Sequence, residues 1–134
     1  MSFENATDRI HVATYLGLVE VGESMIAFSN IERIHATAFN DYFDIFTENM
    51  DIWGLDGQDT FVFWEGRDSS VYGGDGDDYF FLYGGDGNTF YGGAGNDGFN
   101  QSLGNNTLVG GQGNDEFILN EVSETTLVFG SEFG

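Results

Sequence analysis

The chain of 134 residues supplies material for one domain, and its 23 acidic residues face only Arg9, Arg33 and Arg67, with no lysine, for a formal net charge of −20. That imbalance excludes nucleic acid as a partner and disfavours anionic surfaces, so the natural counter-partner is a hard cation. The lack of lysine and cysteine removes P-loop, Schiff-base, thiolate and disulfide chemistry.

Twenty-one glycines without one proline suit a flexible linker, yet fourteen phenylalanines, six tyrosines and two tryptophans do not. The pair of features fits a fold with many positive-φ positions beside many buried rings. Residues 1–9 lack a charged-then-apolar leader, and no apolar run reaches membrane-spanning length, so export is expected to rely on another signal.

Residues 1–35 are read as an N-terminal cap, with short strands expected at Ile10-His11-Val12 and Ile31-Glu32-Arg33-Ile34 and a lead-in running from Ser29-Asn30 to Asn40-Asp41. Residues 36–118 carry a repeat. Its first and weakest member is Ala36-Thr37-Ala38-Phe39-Asn40-Asp41. The next is Gly54-Leu55-Asp56-Gly57-Gln58-Asp59. Three full hexads follow: Gly73-Gly74-Asp75-Gly76-Asp77-Asp78, Gly92-Gly93-Ala94-Gly95-Asn96-Asp97 and Gly110-Gly111-Gln112-Gly113-Asn114-Asp115. Between them lie degenerate versions: one around Gly66-Arg67-Asp68, then Gly84-Gly85-Asp86-Gly87-Asn88-Thr89, shortened by one, then Gln101-Ser102-Leu103-Gly104-Asn105-Asn106, whose aspartate is replaced by asparagine. Residues 119–134 are expected to cap the far end, because an open solenoid terminus invites aggregation.

The strand segments keep the same register. Two residues after each terminal aspartate stand Phe43, Phe61, Phe80, Phe99 and Phe117, expected as one inward column, with Ile52, Val71, Phe90, Leu108 and Leu127 as the opposite one. Residues flanking an inward position point outward in a strand. The second sheet is therefore expected to display Trp53, Tyr72, Tyr91, Val109 and Val128, beside a file of Asp51, Ser70, Thr89, Thr107 and Thr126.

The hexads resemble the nonapeptide G-G-x-G-x-D-x-U-x of the repeats-in-toxin (RTX) family, in which U is a large apolar residue. They start at Gly54, Gly73, Gly92 and Gly110, spacings of 19, 19 and 18 residues, about two nonapeptides each. The resemblance implies an all-β, right-handed parallel β-roll (a β-solenoid) in which two nonapeptides make one turn. Intact loops would then file along one side and degenerate loops along the other. It also implies calcium as the cofactor, held by Asp59, Asp78, Asp97 and Asp115 with loop oxygens from Gly54, Asp56, Gly73, Asp75, Gly92, Ala94, Gly110 and Gln112. Calcium accepts such mixtures of carboxylate and carbonyl ligands. Four loops imply three bridging ions. Asp41 is a further candidate, although Ala36 and Phe39 stand where the pattern prefers glycine, and whether Asp68 and Asp86 bind an ion stays open. On this model Asp97→Ala should lose an ion and much stability, and Asn106→Ala should do little.

By the same resemblance the chain is expected to be a non-catalytic module of a larger, secreted, extracellular protein exported by a type I route, and to fold when calcium fills the loops. The alternative is a binding module whose Trp53, Tyr72 and Tyr91 face a polysaccharide or a neighbouring protein domain. Ice binding by the hydroxyl file is weakened by its aromatic neighbour. No H-E-x-x-H pattern accompanies His11 or His35, Gly22-Glu23-Ser24-Met25-Ile26 lacks the second glycine of a nucleophile elbow, and the carboxylates are too abundant to nominate a glycosidase pair. No active site is expected.

Overall fold

The computed structural model describes residues 1–14, 17–22, 24–27, 31–120 and 124–130. Parts of four expected segments lie outside the described residues: 15–16, 23 and 28–30 of the N-terminal cap, which include Ser29-Asn30 of the lead-in and Glu23 of the elbow-like stretch, and 121–123 and 131–134 of the C-terminal segment.

The described chain contains no helix, and so none long and apolar enough to cross a membrane. It opens with β1 (Ile10–Ala13), β2 (Leu18–Val21) and β3 (Ser24–Ala27), followed by β4 (Arg33–His35), β5 (Tyr42–Ile45), β6 (Asp51–Asp56) and β7 (Thr60–Phe63). The later strands are β8 (Ser70–Asp75), β9 (Tyr79–Leu82), β10 (Thr89–Ala94), β11 (Gly98–Gln101), β12 (Thr107–Gln112), β13 (Glu116–Leu119) and β14 (Thr126–Val128).

From β4 onward, alternate strands join alternate sheets. One sheet runs β4-β6-β8-β10-β12-β14, the other β5-β7-β9-β11-β13, and every neighbour in these runs is parallel. The chain is a β-solenoid of about five turns. The second sheet is extended by β1, parallel to β5, and then by β2 and β3, which run antiparallel. Coil geometry thus begins before Ala36, since β4 sets His35 in register with Trp53.

Both expected core columns form. Phe43, Phe61, Phe80, Phe99 and Phe117 stack face to face with centroid spacings of 4.7, 5.0, 4.6 and 4.9 Å and interplanar angles of 5–11°. The spacing is that of adjacent strands, so one ring per coil in fixed register must stack on its copies above and below. Opposite them Ile52, Val71, Phe90 and Leu108 are fully buried, Leu127 ends the column partly buried, and Ile34, also fully buried, extends it at the other end. The strands also deliver a second inward column, Ile45, Phe63 and Leu82, capped by the buried amide of Gln101.

Candidate metal file

Each hexad crosses from the six-stranded sheet to its partner, so that β6-β7, β8-β9, β10-β11 and β12-β13 are all joined on one side of the solenoid. The degenerate loops make the return crossings on the other side. Alternation in the sequence becomes two separate files in space.

Glycine is needed where stacked loops nearly touch. At Gly76, φ is 132° and an added Cβ would run into the Gly57 carbonyl oxygen of the coil before it; Gly95 and Gly113 repeat this one and two coils later. At Gly73 a Cβ would fill the space shared by Asp78 Oδ2 and the Gly92 carbonyl oxygen. The same cradle recurs at Gly54, with Asp59 Oδ2 and the Gly73 carbonyl, and at Gly92, with Asp97 Oδ2 and the Gly110 carbonyl. At Gly110 the oxygens are Asp115 Oδ2 and the Phe129 carbonyl, the latter 3.0 Å from the added Cβ. Phe129 takes the glycine's place in the coil above because β14 stacks on β12.

The four terminal aspartates use their two oxygens unequally. Oδ1 of Asp59, Asp78, Asp97 and Asp115 accepts the amide of Asp41, Asp59, Asp78 and Asp97 in turn, at 2.8, 2.8, 2.8 and 3.0 Å. Oδ2 of all four is buried and has no hydrogen-bond partner. A buried, unpartnered carboxylate oxygen facing a carbonyl oxygen is an arrangement that only a proton or a cation reconciles. Without a cation, burial pushes Asp59 up to about 8, Asp78 to about 7 and Asp97 to about 6; the ladder amides pull the other way, and neighbouring carboxylates add to the rise.

Asp41 differs from the four. Its Oδ1 accepts the Ile10 amide at 2.7 Å, while Oδ2 accepts both the amide and the hydroxyl of Thr37 at 2.8 Å each. Protein donors saturate it, so it presents no vacant oxygen to an ion. The carbonyls of Asp75, Ala94 and Gln112 accept the amides of Gly57, Gly76 and Gly95 at 3.0, 2.8 and 2.9 Å, which leaves each carbonyl a second lone pair. The side chains of Asp56, Asp75 and Gln112 are exposed. Asp68 and Asp86 are exposed on the other side, where Asp86 Oδ1 takes the Asn105 amide at 2.9 Å.

No three His, Cys, Asp or Glu side chains converge as a metal site among the described residues. Any ion here must draw most of its ligands from the backbone. That suits calcium, which takes six to eight oxygens in irregular geometry, and not zinc, which takes four nitrogen or sulfur-rich ligands.

On the outer face Trp53, Tyr72 and Tyr91 stack at 5.3 and 4.7 Å with interplanar angles of 5° and 3°, and His35 continues the file below Trp53 at 4.5 Å. Tyr72 is thereby stacked between Trp53 and Tyr91, and Trp53 between His35 and Tyr72. A second exposed file, Phe46, Trp64 and Tyr83, spaced 5.7 and 4.7 Å apart, was not anticipated; its residues recur with the coil period, and that was the available signal. His11 lies between Asp44 and Glu20 at 3.3 and 3.8 Å, so both histidines are accounted for by surface contacts.

Asn106 overturns the expectation that its loss does little. It is 3% exposed and bonded on both atoms of its amide: Oδ1 accepts the Asn88 amide at 3.2 Å, and Nδ2 donates to the Gly85 carbonyl at 3.2 Å.

Residues 102–120 match the family model of the RTX calcium-binding nonapeptide repeat, a model of four copies. The stretch takes in Ser102–Asn106 of one degenerate loop, the Gly110–Asp115 hexad and Phe117. No curated protein matches the chain.

Proposed function

From RTX calcium-binding repeats at residues 102–120, a family that binds calcium, we propose that the whole file of hexads is a calcium site array and that the chain folds when it is filled. The reading rests on four buried Oδ2 atoms, on Asp59, Asp78, Asp97 and Asp115, each beside a carbonyl oxygen and without a hydrogen-bond partner. Carbonyls of Gly54, Asp56, Gly73, Asp75, Gly92, Ala94, Gly110 and Gln112 complete the shells. Three ions bridge consecutive hexads and a fourth lies between Asp115 and the Phe129 carbonyl. Asp41, satisfied by Thr37, is left out.

Each ion cross-links two coils and cancels part of a charge of −20. Binding only to the folded state contributes about 2.7 kcal/mol per site when free calcium is about a hundredfold above the dissociation constant. In low calcium the glycine-rich chain stays unfolded and exportable; in millimolar extracellular calcium it becomes a rod. This supports a non-catalytic module of a larger protein, secreted by a type I route, with residues 1–35 and 119–134 as its caps.

Circular dichroism and tryptophan fluorescence are expected to change cooperatively on adding calcium and to revert with chelator. A fully folded spectrum in chelator, unaltered by calcium, would refute the reading.

A further inference from the structure

The side of the solenoid opposite the aspartates is not a decayed copy of the metal file. It has its own continuous ladder of buried side chains, each immediately before a strand, as the aspartates are: Ser69 before β8, Asn88 before β10 and Asn106 before β12, at 1–3% exposure. The ladder begins where the Met50 amide donates to Ser69 Oγ at 3.0 Å. The Ser69 amide then donates to Asn88 Oδ1 at 3.0 Å and the Asn88 amide to Asn106 Oδ1 at 3.2 Å, just as aspartate amides donate to Oδ1 of the next aspartate.

The difference lies at the other terminal atom. Where an aspartate presents a bare Oδ2 to a carbonyl, Asn88 presents Nδ2, which donates to the Gly66 carbonyl at 3.2 Å and to Asn106 Oδ1 at 3.1 Å. Asn106 Nδ2 likewise donates to the Gly85 carbonyl at 3.2 Å and to Gln101 Oε1 at 3.3 Å. An amide is almost isosteric with a carboxylate but neutral, and its two protons satisfy oxygens without a cation; here Nδ2 serves a carbonyl of the preceding coil, whereas the aspartate Oδ2 atoms lie beside a carbonyl of the following one. The opposite amide orientation would set oxygen against carbonyl, so the bonding pattern admits only one.

We infer that Asn88 and Asn106 are fixed replacements for a metal ion: they satisfy the loop carbonyls of their side without one, and so confine calcium to the aspartate side. The inference deepens the proposed function and rests on it. At Asn88 and Asn106 the second terminal atom of the ladder side chain is an NH₂ where the aspartates carry a bare oxygen, and at Ser69 the ladder side chain ends in a single hydroxyl.

The test exchanges the two residue types and counts bound calcium by native mass spectrometry, with circular dichroism to monitor folding. The double variant Asn88→Asp/Asn106→Asp is expected to hold at least one calcium more than the wild type. A folded double variant with an unchanged count overturns the inference. If that variant fails to fold, the converse one decides: Asp59→Asn/Asp78→Asn/Asp97→Asn is expected to lose at least two ions and to keep a strand spectrum in chelator. A converse variant that is unfolded in chelator overturns the inference. Wild type that binds no calcium overturns the proposed function together with this inference, whereas either variant result, obtained beside a calcium-binding wild type, bears on the inference alone.

Discussion

Leu55 holds a φ of 81° at the position where the three later hexads carry Gly74, Gly93 and Gly111 at 105–115°. A side chain in that region strains against its own carbonyl by about 1–2 kcal/mol, and glycine's extra unfolded-state freedom returns only part of this. Leu55→Gly is therefore expected to raise stability by about 0.5–1 kcal/mol in calcium, read as the denaturant midpoint. Asn106→Ala strips the Asn88 amide and the Gly85 carbonyl of partners, at an expected cost of about 1–3 kcal/mol with or without an effect on ion count. The aspartates add a pH dependence whose sign is opposite to that of an ordinary salt-bridged carboxylate. Their folded, metal-free values are raised to about 8, 7 and 6 at Asp59, Asp78 and Asp97, above the ordinary 3.8, so the folded state binds more protons than the unfolded one across that window. In chelator, stability should be greatest near pH 4 and fall as pH rises towards 8. Calcium must displace the same protons, so its affinity should rise over that range, as calorimetry in two buffers of different ionisation enthalpy would register.

At the scale of the strand, register decides which rings matter. Phe80 is 1% exposed and stacked on both sides, by Phe61 at 5.0 Å and Phe99 at 4.6 Å. Tyr91 also stacks on a neighbour, Tyr72 at 4.7 Å, but stands on the outer face, half-buried. Removing the inner ring leaves a cavity between coils that a rigid stack cannot collapse to fill. Phe80→Ala is expected to cost about 3–5 kcal/mol, whereas Tyr91→Ala should cost about 1 kcal/mol, both measured by thermal unfolding in saturating calcium. Both files were legible in the sequence because period-2 alternation and a coil length of 18 or 19 residues assign every strand residue a face and a neighbour. The second inward column, Ile45, Phe63, Leu82 and Gln101, obeys the same alternation two residues further along each strand, and its last member is a polar amide that no apolar pattern marks as buried.

Over the whole molecule, one side carries four buried carboxylates and the other neutral amides, so part of the self-repulsion of a chain at −20 lies where metal can relieve it. Screening by monovalent salt weakens repulsion between exposed charges but gives no ligand to a buried Oδ2. Sodium chloride at high concentration should therefore fail to replace calcium. Magnesium, which is smaller, needs near-ideal octahedral geometry and releases water reluctantly, should fail as well. Strand content by circular dichroism in each salt, with chelator present for the sodium arm, checks both.

The sequence by itself carried the resemblance that implies the solenoid, and its repeat of fixed length set the register of the two core columns and separated intact from degenerate loops, because such a repeat assigns each residue the same place in every coil. Only the tertiary structure decided what each oxygen touches. Asp41 and Asp59 both end a repeat two residues before a core phenylalanine, yet the Thr37 amide and hydroxyl satisfy Oδ2 of the first and no hydrogen bond reaches Oδ2 of the second. Asn88 and Asn106 look like losses until neighbouring coils bring Gly66 and Gly85 against their amides. Those contacts join residues about 20 positions apart, and a hydrogen bond between stacked coils leaves no mark on local spacing.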